Sequence, residues 1–106
     1  MYLIKIPRRI NIGGFTYKVR TSERVNKELR DCNRRGSHSE FLREIDIAKA
    51  APCEASNTFT HEIIHAVDAI YCNAGLTEAQ ISSLSNGLHQ VLEQLKVRFV
   101  LEVNNG

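Results

Sequence analysis

The stretch "NTFTHEIIHAVDAI", residues 57–70, sets His61 and His65 four apart with Glu62 directly after the first. On a helix of 3.6 residues per turn, residues four apart share a face, so both imidazoles can reach one ion. Zinc accepts neutral imidazole at about 2.0–2.1 Å and, where the protein supplies three ligands, keeps its fourth tetrahedral position for water. Glu62 is turned about 100° from His61 around the helix axis, off the metal but beside it. A carboxylate there can take a proton from a water that the metal has acidified to a pKa of about 7. This is the mechanical content of H-E-x-x-H. Shuffling the chain's four His and nine Glu produces that pattern in roughly one sequence in a hundred. Ile63, Ile64, Ala66 and Val67 around it imply a mostly buried helix, where two histidines need partners.

A catalytic zinc needs a third protein ligand. Asp68 shares the histidine face but lies on the same helix, which suits it better as an acceptor for an imidazole N–H. The following segment offers Glu78, His89 and Glu93. At about 100° per residue, Glu78, Ser82, Ser85 and His89 form one stripe flanking an apolar face. Glu78 lies in the first turn after the "NAGLT" reversal and can fold back over the metal helix, so it is the favoured ligand. A first-turn Glu is also favoured by the helix dipole without any metal. Tyr71 and His89 are candidate donors to the oxyanion that water attack on a carbonyl creates.

Other elements must hold these residues in place. "YLIKI", stopped by Pro7, reads as a short edge strand, and "GGFTYKVRT" alternates Phe15, Tyr17 and Val19 against polar residues. These two are expected to pair through a turn at Gly13 and Gly14. "SERVNKELRDCNRRG" reads as a short helix with Val25 and Leu29 inward, and "SEFLREIDIAKA", alternating Phe41, Ile45 and Ile47, as a third strand. From Asn57 or Thr58, as N-cap, a helical period runs to "NAG" at 73–75. A second helix opens with a Thr77–Gln80 capping box and draws Ile81, Leu84, Leu88, Val91, Leu92 and Leu95 into one apolar stripe reaching towards Phe99. Strands followed by two helices predict an α+β domain spanning 1–106, with helices against a small antiparallel sheet of about three strands.

Composition sets outer bounds. Hydrophobic residues at 42% and charged residues at 25% are ordinary globular usage. Without a leader-like start or a run of about 18 apolar residues, the expectation is a soluble cytoplasmic protein with no membrane segment. Three cysteines without a CxxC pair fit reduced thiols. Residues 1–50 carry twelve of the fourteen Lys and Arg and six of the twelve acids, a net of +6. Those bases are scattered and lack interleaved aromatics beyond Phe15 and Tyr17, which argues against nucleic-acid binding.

The run "TFTHEIIHAVDAIYCNAGLTEAQISSLSNGLHQVL" resembles the short HExxH zinc metallopeptidases of bacteriophages and prophages, which are gluzincin-like and distantly similar to the ImmA/IrrE group. "GGFTYKV" and "SEFLREIDIAKA" are similar to the strands that precede the active-site helix in that family. The resemblance implies a minimal zincin-like fold, with His61 and His65 as zinc ligands, Glu62 as general base and Glu78 as third ligand. Such relatives often carry an acid in the register of Ser82 as well, and here only Glu78 is acidic. It further implies hydrolysis of peptide bonds in an intracellular protein, such as a host or phage regulator. A zincin's substrate adds to an edge strand, for which "REIDIAKA" is the candidate by position. The competing reading is a non-catalytic, zinc-stabilised phage accessory protein or regulator-binding module. A purely structural site has no use for a carboxylate at Glu62.

Overall fold

The computed structural model describes residues 1–102. In chain order its elements are β1 (Tyr2–Lys5), β2 (Arg9–Ile12), β3 (Phe15–Arg20), α1 (Glu23–Asp31), β4 (Gly36–Ser39), β5 (Glu44–Ile47), α2 (Pro52–Tyr71), α3 (Glu78–Gln94) and β6 (Val97–Val100). This is an α+β fold with three helices among the described residues and two sheets.

The four-stranded sheet runs β2-β3-β5-β4 and is mixed. β2 and β3 form an antiparallel hairpin, Ile10 opposite Tyr17, closed by Gly13 and Gly14 at φ +60° and +87°. The expected pairing through the glycines therefore exists, but "RINI" supplies the partner and "YLIK" does not. β1 instead pairs in parallel with β6, Ile4 opposite Phe99, in a separate two-stranded sheet. A hairpin turn of two glycines can join only the strands that abut it, and Pro7 interrupts the chain between β1 and β2.

β5 pairs with β3 in parallel on one side and with β4 antiparallel on the other, so "EIDI" is interior and β4 is the edge. The expected edge strand is corrected accordingly. Phe41, assigned to the third strand, instead lies in the β4–β5 turn and is 94% exposed. Arg43 in that turn hydrogen-bonds Glu40 and Tyr17 Oη and stacks on the Phe15 ring at 4.1 Å.

α2 begins at Pro52 with Ala51 as N-cap, six residues before Thr58. Proline is at home in a first turn because its missing N–H has no intrahelical partner there. Phe59 and Ala66, with Ile63, Val67 and Ile70, press the helix onto Ile12, Tyr17, Val19, Ile45 and Ile47 of the sheet. β6 crosses the start of α2, where Phe99 packs edge-on against Phe59 at 5.2 Å and its amide donates to Ser56 Oγ at 3.1 Å. α1 forms as expected, capped by Ser22, and buries Val25 and Leu29 with Ala48 as a smaller cluster.

α3 carries the expected capping box: the Gln80 amide donates to Thr77 Oγ1 at 3.1 Å and the Thr77 amide to Gln80 Oε1 at 2.9 Å. Its orientation is not the expected one. Ile81 is buried, but Leu84, Leu88, Val91 and Leu95 are 44–63% exposed, while Ser85 and His89 are buried. The polar stripe faces α2, and most of the apolar stripe faces away from the core. The helix also stops at Gln94, giving way to β6 instead of continuing to Phe99.

Candidate metal centre

His61 and His65 leave the same face of α2, and Glu78 reaches them from the first turn of α3. His61 Nε2 lies 2.9 Å from Glu78 Oε1 and His65 Nε2 lies 2.9 Å from Glu78 Oε2. The reversal that brings Glu78 back depends on Asp68, which is buried. Its carboxylate accepts the Leu76 amide at 3.1 Å and its carbonyl accepts the Cys72 and Ala74 amides. Asp68 therefore braces the α2–α3 turn and does not hold an imidazole, contrary to the expectation.

The acceptor for the imidazole is Ser85. Its Oγ lies 3.3 Å from His61 Nδ1 and donates to the Ser82 carbonyl at 3.2 Å. A hydroxyl has a single proton. Without a metal, the 2.9 Å approach of His61 Nε2 to Glu78 Oε1 needs a proton on Nε2. With a metal, and with the Ser85 proton on the Ser82 carbonyl, Ser85 Oγ accepts from His61 Nδ1–H and the Nε2 lone pair is free for the ion. This is the tautomer a metal ligand needs. Burial lowers the pKa of His65, with Glu62 opposing and His38 reinforcing that effect, which favours the neutral imidazole that binds metal.

Glu62 is buried, faces the same cavity as the histidines, and its Oε2 has no hydrogen-bond partner. The group nearest it is His38 on β4, with Nδ1 3.6 Å from that oxygen, too long for a hydrogen bond. His38 also stacks on His65, ring centroids 4.4 Å apart at 19°. The Glu62 carboxylate raises the pKa of His38 against the opposing effect of its burial.

His38 is a site residue that sequence reasoning missed, since "GSHS" has no apolar alternation to mark a strand. Gly36 was missed as well. A Cβ there would sit 2.6 Å from Thr58 Cγ2 and 3.3 Å from Glu62 Cγ, so its bare backbone lets the edge strand lie against α2.

The remaining candidates fall elsewhere. Tyr71 is 69% exposed and packs beside the Gly13 turn, and His89 and Glu93 cluster with Cys53. None of the three joins the group of His61, His65 and Glu78. Neither oxyanion-donor assignment, Tyr71 or His89, is met by this geometry. The group that faces Glu62 from β4 is His38.

A cavity of about 660 Å³ opens over the centre, lined by β4 and its approach (Arg34 to His38) and by α2 and α3. That is the size of a small-molecule or peptide side-chain site. The donor set fits zinc. Two neutral imidazoles and a carboxylate are one of the ligand combinations of catalytic zinc, whose bonds of about 2.0–2.2 Å would set tetrahedral donors roughly 3.4 Å apart. The present separations need to open by a few tenths of an ångström. Among the described residues no helix is long and apolar enough to cross a membrane. Comparison with protein-family models, curated proteins and solved structures gives no match to this chain.

Proposed function

We propose that this chain is a zinc-dependent metallopeptidase with a minimal zincin-like centre, as its resemblance to the short phage and prophage HExxH enzymes implies. The observation that carries the reading is the buried Glu62, whose Oε2 makes no hydrogen bond among the described residues and faces His38 Nδ1 at 3.6 Å, beside a converged His61–His65–Glu78 set. A metal-stabilised module without turnover would have no reason to bury a carboxylate unpaired, which costs free energy.

In this reading His61, His65 and Glu78 hold the ion, which supplies Lewis acidity and lowers the pKa of water. Glu62 takes the proton of the attacking water on its Oε2 and hands it to the leaving amine. His38 Nδ1 faces the same oxygen, 3.6 Å away. A peptide substrate adds to the free side of β4 by main-chain hydrogen bonds, which places its backbone beside the cavity. The same resemblance implies an intracellular protein substrate, such as a host or phage regulator.

The test is Glu62→Gln. The amide occupies the same space and can hydrogen-bond water but cannot accept its proton. Wild type and variant, each with zinc content measured, are incubated with a peptide library read by mass spectrometry. The expected result is one zinc in both and cleavage by the wild type alone. Equal cleavage by the variant, or a wild type that holds zinc and cuts nothing in the library, overturns the reading.

A further inference from the structure

A second ligating cluster lies along the α2–α3 seam, eight residues before His61 on α2 and so about 12 Å away along the helix. Cys53 projects from the first turn of α2, and His89 and Glu93 stand one turn apart on α3. Their donor atoms all lie within 4.8 Å of one another. His89 is only 6% exposed, and its Nε2 has no hydrogen-bond partner, the closest carboxylate oxygen being Glu93 Oε1 at 3.5 Å. A buried imidazole nitrogen left unpaired is costly, and it calls for an occupant.

We propose that Cys53, His89 and Glu93 form a second site for a divalent ion of the zinc class, separate from the His61–His65–Glu78 centre. A thiolate, an imidazole and a carboxylate are the donors that zinc and cobalt take, whereas calcium and magnesium prefer oxygen alone. On binding, the ion displaces the Cys53 thiol proton to solvent and gains a metal–sulfur bond.

Arg98 holds both Glu93 oxygens at 2.9 and 3.0 Å, and Lys96 adds a weaker positive influence on the same carboxylate. A carboxylate has about four lone-pair positions, so Glu93 can keep Arg98 and still give one to an ion. The thiolate and carboxylate together outweigh the guanidinium charge. Cys53 is exposed and also lines the cavity, which gives the ion a path in. Occupied, the site ties the first turn of α2, which lines the cavity, to the end of α3. It does not depend on peptidase activity.

Cobalt(II) added to the full chain is the probe, because a thiolate ligand gives a sulfur-to-cobalt charge-transfer band in the near ultraviolet and the His61–His65–Glu78 centre has no thiolate. The band should appear in the wild type and in Cys32→Ser/Cys72→Ser. It should persist in His61→Ala and vanish in Cys53→Ser, a substitution at an exposed position that leaves the core untouched. Glu93→Gln and His89→Gln should each weaken cobalt binding by about tenfold or more. A wild type without the band, a band that survives Cys53→Ser, or binding unchanged in both Glu93→Gln and His89→Gln overturns the proposal.

Discussion

Replacing Ser85 by alanine would remove one oxygen from beneath the candidate metal centre and none of its donors. Ser85 is fully buried, with its Oγ 3.3 Å from His61 Nδ1 and 3.2 Å from the Ser82 carbonyl. In the variant, His61 loses the acceptor that fixes its tautomer, and its ring is free to present a protonated nitrogen towards Glu78. Losing such an outer partner weakens metal binding about 10–100-fold, which is roughly 1.4–2.7 kcal/mol at 1.36 kcal/mol per decade. The 3.3 Å separation is long for this bond, which puts the loss near the lower end, at about tenfold. The metal-free fold should lose about 1–2 kcal/mol, because two long hydrogen bonds are at stake. Zinc affinity by chelator competition, alongside urea unfolding of the metal-free protein, separates the two effects. An affinity unchanged from wild type would refute the tautomer argument. A large loss of metal-free stability would show that Ser85 serves the fold and not the ligand.

Glu78→Ala should weaken zinc binding by more than about a hundredfold, beyond the scale of an outer-partner loss. A loss within about tenfold would shift the third ligand elsewhere. Asp68→Ala should lower stability by about 1–3 kcal/mol, since the Leu76 amide loses its carboxylate acceptor, and should weaken zinc binding about tenfold by loosening the turn that presents Glu78, less than Glu78→Ala does; chelator competition and urea unfolding check both halves. Leu88→Ser, on the exposed stripe, should change stability by less than about 0.5 kcal/mol, whereas Ile81→Ala should cost about 2–5 kcal/mol. The reverse order in urea unfolding would mean that the leucine face, not the Ser85 face, packs inward.

The elements that announce themselves locally were legible. The capping box of α3, the helical period across His61 and His65, the alternation of β3 and the Ser22-capped α1 depend on neighbours within a few residues, and the chain states them directly. What failed was pairing and facing. β4 is a strand because β5 lies beside it, and nothing in "GSHS" encodes that; His38 was lost with it. Pro52 lies upstream of the expected N-cap at Asn57 or Thr58, yet a proline is at home in a first helical turn. The early start it marks is what brings Cys53 into α2 opposite His89.

The facing of α3 has a more general cause. An apolar stripe reports the period of a helix and usually its buried side, because burial of apolar area is the dominant favourable term. That inference assumes that the opposing surface is apolar too. α2 spends its apolar residues Phe59, Ile63, Ala66, Val67 and Ile70 on the sheet. What it turns towards α3 includes Asn57 and His61, met by Asn86, Ser85 and Glu78. Had α3 laid its leucines there, His61 and His65 would face an apolar surface without partners, and each unsatisfied group costs about 1–3 kcal/mol or more. Leaving the leucines half exposed forfeits only part of their burial, about 25 cal/mol per Å². The polar requirement of the centre therefore decides which way α3 turns. The same competition predicts that replacing His61, His65 and Glu78 together by leucines would favour rotation of α3 towards its apolar face. Protection of the Leu84 and Leu88 side chains from solvent, followed by NMR relaxation from a dissolved paramagnetic agent, should rise in that triple variant. Unchanged exposure would show that the Thr77 cap and the Asp68 brace, not the polar centre, set the rotation.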